Sequence, residues 1–236
     1  MKAVVLAGGE GTRLAPYSKK LPKPLMPIGD MPILEILIHQ MKLAGVDEVI
    51  LAVGHGMDAL NAYFQNGNQF GIKINYSTEQ FPLGTIGPLS LIEGLDESFL
   101  VTNGDILTTL DFQELIQQHQ KSQATATIAM HARHVKIDLG VLELADGKEE
   151  IVRYLEKPTY HFHVSMGIYV FDPQVLHYIP SNQYYDFPEL VHKLIDQGKK
   201  VIGYPFDGYW QDLGNPDDYE QAILDFDVHK HQILRD

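Results

Sequence analysis

Between residues 11 and 24 the chain carries Arg13, Lys19, Lys20 and Lys23 and no acidic residue, although its formal net charge is −13. Gly8, Gly9 and Gly11 lead into this basic stretch. Glycine opens backbone conformations that let main-chain N–H groups come close to a ligand. Pro16, Pro22, Pro24 and Pro27 stiffen a segment that would otherwise be costly to order. A rigid, glycine-led loop holding spaced cations is a device for stabilising charge on phosphoryl oxygens. It suits a polyphosphate. The acidic balance of the chain, with a pI near 5.2, argues against nucleic acid and anionic membrane surfaces as partners.

Two better-known phosphate loops do not fit these residues. A P-loop ends in Gly-Lys-Ser/Thr, whereas Gly11 is followed by Thr12 and Arg13. The dinucleotide fingerprint meets Leu14 at its third glycine, and the apolar run 48–53 ends without the acid that would hold a ribose. A plain glycine turn between strand and helix is the alternative for Gly-Gly-x-Gly taken alone.

Further along, Asp105 follows the apolar run 99–102 behind Asn103 and Gly104, and Asp212 stands two residues before Gly214. Magnesium takes oxygen ligands and commonly uses one or two carboxylates plus substrate phosphates. Two such aspartates could meet over one ion; turn-forming Asp-Gly chemistry is the alternative for either alone. Glu156, Lys157 and Pro158 follow another strand-like run. A carboxylate can accept adjacent sugar hydroxyls and an ammonium suits a phosphate, although Glu-Lys-Pro is also ordinary loop composition. His161 and His163 share a strand face, but no histidine pair has the i, i+4 zinc spacing with Glu. The chain has no cysteine, which excludes disulfides and thiolate chemistry and fits a reducing cytosol.

The elements that must position these groups follow from periodicity. Residues 2–7, 48–53, 72–76 and 99–102 read as strands, with helices over 32–44, 57–64, 86–95 and 111–120. Strand–helix alternation implies a parallel sheet with crossover helices. From residue 124 the texture changes to strands at 124–132, 140–144, 151–155 and 164–171, with a turn at Asp146-Gly147. Helices at 173–179 and 186–197, a strand at 201–205 and a last helix opened by Asn215 and Pro216 complete the pattern. With 236 residues, 44% of them hydrophobic, we read one domain. Its nucleotide-binding half covers about 1–122, a second half about 123–222, and a C-terminal tail 223–236. No leader peptide or membrane span is expected.

Gly8-Gly9-Glu10-Gly11-Thr12-Arg13-Leu14, followed by Pro22-Lys23-Pro24-Leu25-Met26-Pro27-Ile28, resembles the signature of the sugar-1-phosphate nucleotidyltransferases, also called nucleotide-sugar pyrophosphorylases. The chain is most similar in feel to short mannose-1-phosphate guanylyltransferase-like members. The resemblance spans residues 2 to about 222, and nothing resembles the β-helical acyltransferase extension of some relatives. It implies a Rossmann-like three-layer α/β/α sandwich around a mixed, mainly parallel sheet. It also implies the reaction of a nucleoside triphosphate with a sugar 1-phosphate to give a nucleotide sugar and pyrophosphate. In that scheme Arg13 holds the β and γ phosphates, Lys23 bridges the α phosphate, and Asp105 and Asp212 bind Mg²⁺. Leu6, Ala7, Gly8, Gly9, Gly11, Thr12, Asn103 and Gly104 would surround the nucleotide, with Pro82, Gly84 and Thr85 in the base-side loop.

For the sugar phosphate the resemblance implies main-chain contact at Gly140, ring hydroxyls on Glu156 and the phosphate on Lys157. Ser165 stands where many members have Asn, and Leu213 and Asn215 depart mildly from the last motif. Tyr17 and Trp210 are aromatic candidates either for a sugar pocket or for the core. Relatives that take thymidine or uridine nucleotides commonly carry Gln five residues before the loop glycine; here that residue is Glu79. An ionised carboxylate accepts from the adjacent N1–H and N2–H₂ of guanine and opposes the carbonyls of uracil. GTP with a manno-configured sugar, mannose 1-phosphate or a manno-heptose 1-phosphate, is therefore the expectation; the alternative is a UTP- or dTTP-dependent glucose-1-phosphate enzyme. A non-catalytic nucleotide-sugar sensor on the same fold is a further alternative, and homo-oligomerisation stays open.

Overall fold

The computed structural model describes residues 1–9, 14, 21–54 and 56–235. Strand β1 (Lys2–Leu6) is apolar on both faces, so it can only lie inside a sheet covered twice. Ala3, Val4 and Val5 are fully buried there. In chain order come the two-residue strands β2 (Pro27–Ile28) and β3 (Met31–Pro32), helix α1 (Ile33–Leu43), β4 (Glu48–Val53), α2 (Met57–Phe64) and β5 (Lys73–Thr78). Then follow β6 (Phe99–Asn103), β7 (Ile106–Thr108), α3 (Phe112–Ser122), β8 (Ala126–Lys136), β9 (Gly140–Leu144), β10 (Ile151–Glu156) and β11 (Thr159–Phe171). Helix α4 (Phe187–Asp196), β12 (Val201–Phe206), β13 (Trp210–Asp212) and α5 (Pro216–Leu234) end the chain.

Seven strands form one sheet in the order β12-β8-β11-β6-β1-β4-β5. β1 runs parallel to β4 and β6, β4 to β5, and β8 to β12, while β11 is antiparallel to both of its neighbours. Alternation along β1 sorts its side chains between two layers. Ala3 and Val5 pack with Leu34, Leu37 and Phe64 on one face; Val4 packs with Leu89, Leu190 and Leu194 on the other. The expected three-layer sandwich around a mixed, mainly parallel sheet is what forms. A third cluster joins Met26, Ile36, Leu107, Leu213 and Phe226, fastening α5 beneath the small β7–β13 ribbon. Asn215 caps α5 by accepting from the Asp218 N–H at 3.0 Å, and the helix continues through the stretch read as a tail.

Two expected helices are shorter and tighter than the sequence suggests. Residues 86–95 contain only a 3₁₀ segment, Gly87–Leu91, because Pro88 supplies no donor and the Ile86 and Gly87 N–H groups bond instead to the Tyr185 carbonyl. Residues 173–179 form a 3₁₀ segment as well, Pro173–Tyr178. β8 and β11 run longer than expected, and their register shifts between Ser165 and Tyr169, where Gly167 takes a positive φ of 73°. Such a bulge turns side chains out of the ladder. Among the described residues, no helix is long and apolar enough to cross a membrane.

Candidate functional site

The carboxyl ends of β1, β4 and β6 converge with the residues that follow them, and the glycine-led loop starts there. A cavity of about 370 Å³ opens at this edge, lined by Leu6, Gly8, Gly9, Asn103, Asp105 and, across from them, Glu79, Pro82, Gly84 and Thr85. Glu79 turns inward. Its Oε2 accepts from the Leu83 N–H at 2.9 Å, and its Oε1 lies where a Cβ on Gly8 or Gly54 would be only 2.5 or 2.6 Å away. Two glycines therefore make the seat for one carboxylate, and a methyl at either would displace it. Ala7 is buried below, its N–H donating to the Ala52 carbonyl at 2.9 Å. Gly104 donates to the Leu6 carbonyl at 3.0 Å and packs on Val5 and Ala7, letting the β6–β7 turn approach β1.

Lys23 opens a short 3₁₀ turn, Lys23–Leu25, held between Pro22 and Pro24. Its ammonium ion-pairs with Asp105 Oδ2, and both side chains are mostly buried, at 12% and 22% exposure. Arg13, Gly11, Thr12 and Tyr17 lie outside the described residues.

A second cavity, of about 280 Å³, adjoins the first through the shared walls Leu6, Thr85 and Asn103. Asp212, Ser165, Trp210 and Phe187 line it. The β7–β13 ribbon brings the two aspartates near: Asp212 pairs with Ile106, and the Leu213 N–H donates to the Asp105 carbonyl at 3.1 Å. The Trp210 indole N–H donates to the Met166 carbonyl at 3.1 Å, and the Arg133 guanidinium sits 5.3 Å from its ring centre. Ser165, thrown out by the bulge, donates to the Tyr169 hydroxyl at 3.2 Å and accepts from the Gly167 N–H.

Gly140, Glu156 and Lys157 line neither cavity. They sit together on the exposed β9–β10 ribbon, where Gly140 is the register partner of Glu156. Tyr154 donates its hydroxyl to Glu156 Oε2 at 2.8 Å and lies where a Gly140 side chain would be. Lys157 takes a positive φ of 44°, an uncommon conformation for a residue with a side chain.

The sequence reading missed one stretch that borders both cavities. Tyr184 lines the first, and Phe187 and Pro188 line the second. Asp186 ties them to the base-side loop: its Oδ1 accepts from the Thr85 N–H and hydroxyl at 2.9 and 3.0 Å, and its Oδ2 accepts from the Tyr184 hydroxyl at 2.7 Å. These donors hold the Asp186 carboxyl below the usual carboxylate range, and the same carboxylate pushes the Tyr184 phenol up. The only signal available was the aspartate before Phe187 and Pro188, which reads as a helix cap.

Residues 2–227 match the family described as Nucleotidyl transferase. A UTP–glucose-1-phosphate uridylyltransferase of Synechocystis sp. is 34% identical over 243 residues, covering 94% of this chain and 62% of that protein. A mannose-1-phosphate guanyltransferase of Yarrowia lipolytica is 33% identical over 230 residues, covering 93% of this chain and 62% of that protein. The chain thus spans less than two thirds of the length of these curated relatives. The crystal structure of HddC from Yersinia pseudotuberculosis complexed with GMP-PN superposes with a TM-score of 0.70 at 25% identity, over 95% of this chain and 99% of that one. With a family match over nearly its whole length, the chain belongs to the nucleotidyl transferase family.

Proposed function

We propose that this chain joins a nucleoside triphosphate to a sugar 1-phosphate, releasing pyrophosphate, with GTP and a manno-configured sugar 1-phosphate as its substrates. The observation that carries the reading is the pair of adjoining cavities at the carboxyl ends of parallel strands, one edged by Asp105 and the other by Asp212. Ligands of open α/β sheets bind at such strand ends. The first cavity would take the nucleotide and the second the sugar, which divides the chain near residue 122 into a nucleotide half and a sugar-phosphate half.

In this reading Arg13 and the main chain of Gly8, Gly9, Gly11 and Thr12 hold the leaving phosphates, and Lys23 meets the α phosphate. Ser165 lines the second cavity beside the sugar, while Lys157 for the attacking phosphate, Glu156 for the ring hydroxyls and Gly140 are carried over from the resemblance, on the β9–β10 ribbon outside that cavity. The attack is in line and needs positioning and charge neutralisation rather than a protein nucleophile. Asp105 and Asp212 would suit a divalent cation by their chemistry: the ribbon sets their main chains side by side, and Lys23 already marks the Asp105 carboxylate as a cation partner. Among the described residues, no group of three or more His, Asp or Glu side chains is arranged as a metal site, so substrate phosphates would complete the ligand set. Bound there, Mg²⁺ would neutralise phosphate charge. A cysteine-free chain suits the reducing cytosol.

Guanine is favoured by Glu79, which lines the first cavity while its Oε2 accepts from the Leu83 N–H, and by the GMP-PN complex of the HddC relative. The uridylyltransferase relative favours UTP with glucose 1-phosphate as the second reading. A pyrophosphate-release screen of four NTPs against a panel of sugar 1-phosphates, with and without EDTA, decides between them. GTP is expected to lead, and Glu79→Gln to narrow the GTP:UTP ratio by roughly tenfold, the size of one mismatched hydrogen bond to a charged group. A wild-type preference for UTP or dTTP would remove guanine, and no turnover with any pair would remove the enzyme reading.

A further inference from the structure

Tyr184 is 61% exposed, yet its position is fixed. A ring so open to solvent is not held by core packing. Its hydroxyl is tethered to Asp186, and the backbone around it is strapped along the base-side loop. The Tyr185 N–H donates to the Leu83 carbonyl at 2.9 Å, and the Tyr185 carbonyl accepts from Ile86 and Gly87 at 3.1 and 3.0 Å. Asn182 adopts a positive φ of 52° and donates its N–H to Ser90 Oγ at 3.2 Å. The Phe187 N–H donates to Thr85 Oγ1 at 2.8 Å. Gly84 takes a φ of +79°, and a Cβ there would strike the Tyr185 carbonyl and the Asp186 carboxylate. A short segment from the second half of the chain is thereby made part of the first cavity.

The chemistry of that cavity is divided. Glu79 presents a carboxylate, able to read the polar edge of a base; Pro82 and Tyr184 present apolar surface on the side of the base-side loop. Resting on the nucleotide reading above, we propose that Tyr184 is the outer wall of the nucleotide site, its ring packing on the flat face of the base. Asp186 is its positioning residue, setting Tyr184 through one carboxylate oxygen and Thr85 through the other. Every base has a π face, so this wall strengthens binding without selecting the base. Selection stays with Glu79. Because the segment continues into Phe187 and Pro188, which line the adjoining cavity, the wall also joins the two substrate positions.

The experiment is equilibrium titration of the whole chain with GTP and with UTP in the absence of sugar phosphate, using wild type, Tyr184→Ala, Tyr184→Phe and Glu79→Gln. Tyr184→Ala is expected to weaken GTP and UTP alike, by about tenfold, the effect of losing one aromatic platform under a base. Tyr184→Phe keeps the ring and is expected to keep most of the affinity, while Glu79→Gln changes the ratio of the two nucleotides. Asp186→Asn is expected to raise the KM for nucleotide and leave the KM for sugar phosphate unchanged. Wild-type affinity for both nucleotides in Tyr184→Ala overturns the wall and leaves the nucleotide site standing. Equal losses in the Ala and Phe variants overturn ring packing. A wild type that binds neither nucleotide overturns the site and its wall together.

Discussion

Gly8 and Gly140 each leave room for a polar side chain that stands where a Cβ would be, the Glu79 carboxylate in one case and the Tyr154 hydroxyl in the other. Their settings differ. Gly8 follows β1, whose central residues Ala3, Val4 and Val5 are fully buried between two helical layers, so the seat of Glu79 is set by the core. Gly140 begins β9 in a two-stranded ribbon where Leu142, Leu144, Ile151 and Tyr154 are all at least half exposed. There the ribbon is held by its own ladder, one Tyr154–Glu156 hydrogen bond and a 3.5 Å Arg153–Glu143 ion pair. Isolated two-stranded ribbons are marginal in water, and exposed ion pairs contribute little. The Glu79 side of the first cavity is thus preformed by the core, whereas the residues proposed to hold the sugar phosphate ride on an exposed two-stranded ribbon.

The sharpest way to break this contrast is at Lys23. Lys23→Met is expected to lower turnover by roughly 10²–10³, as when a preorganised charge-stabilising group is removed. It also leaves the mostly buried Asp105 without its partner, so Tm should fall as well; a thermal melt beside the pyrophosphate assay separates the two losses. Wild-type turnover in this variant would mean that the preformed cleft is not where the chemistry occurs.

On the ribbon, Lys157→Ala or Glu156→Gln is expected to raise the KM for sugar 1-phosphate by about tenfold or more, the scale of a hydrogen bond to a charged group. The Kd for nucleotide should stay where it was, and Tm with it. A parallel change in both affinities would erase the distinction between the two regions. Hydrogen exchange gives a gentler reading of the same contrast. Amides of β9 and β10 should exchange by local opening, those of β1 and β4 only with global unfolding. Adding sugar 1-phosphate should slow the ribbon amides selectively.

Much of the preformed region was legible because burial leaves a pattern. β4 and α2 begin and end where their apolar runs and breakers place them. What escaped was set by distant partners. The three-residue strands β7 and β13 are too short to show a period, yet their pairing is what brings Asp105 and Asp212 together. Residues 86–95 carry a helical apolar pattern, but Pro88 and the carbonyl of Tyr185, about a hundred positions away, select a 3₁₀ turn. Asp186 reads as a cap, and its bonds to Thr85 have no local signature at all.

The smallest expected effect is at that junction, and it concerns acid. Tyr184 and Thr85 donate to the Asp186 carboxylate, and their hydrogen bonds hold its pKa below the unfolded value, while Glu189 accepts from the Asp186 backbone N–H at 2.9 Å. A carboxyl depressed in this way contributes stability that is fully present above the unfolded pKa, near 4, and is lost as pH falls through the lower folded value. Asp186 is only partly buried, so solvent screening keeps the contribution below about 1 kcal/mol. Asn caps a helix about as well as Asp, so Asp186→Asn removes the charge while keeping an acceptor for Thr85. Wild type should therefore melt slightly higher than Asp186→Asn at pH 6, with the gap closing as the acid limb is descended below pH 4. A gap that widened in acid would reverse the sign assigned to Asp186. A gap that ignored pH would mean that Tyr184 and Thr85 are held by geometry alone, and the junction between the two cavities would owe nothing to this charge.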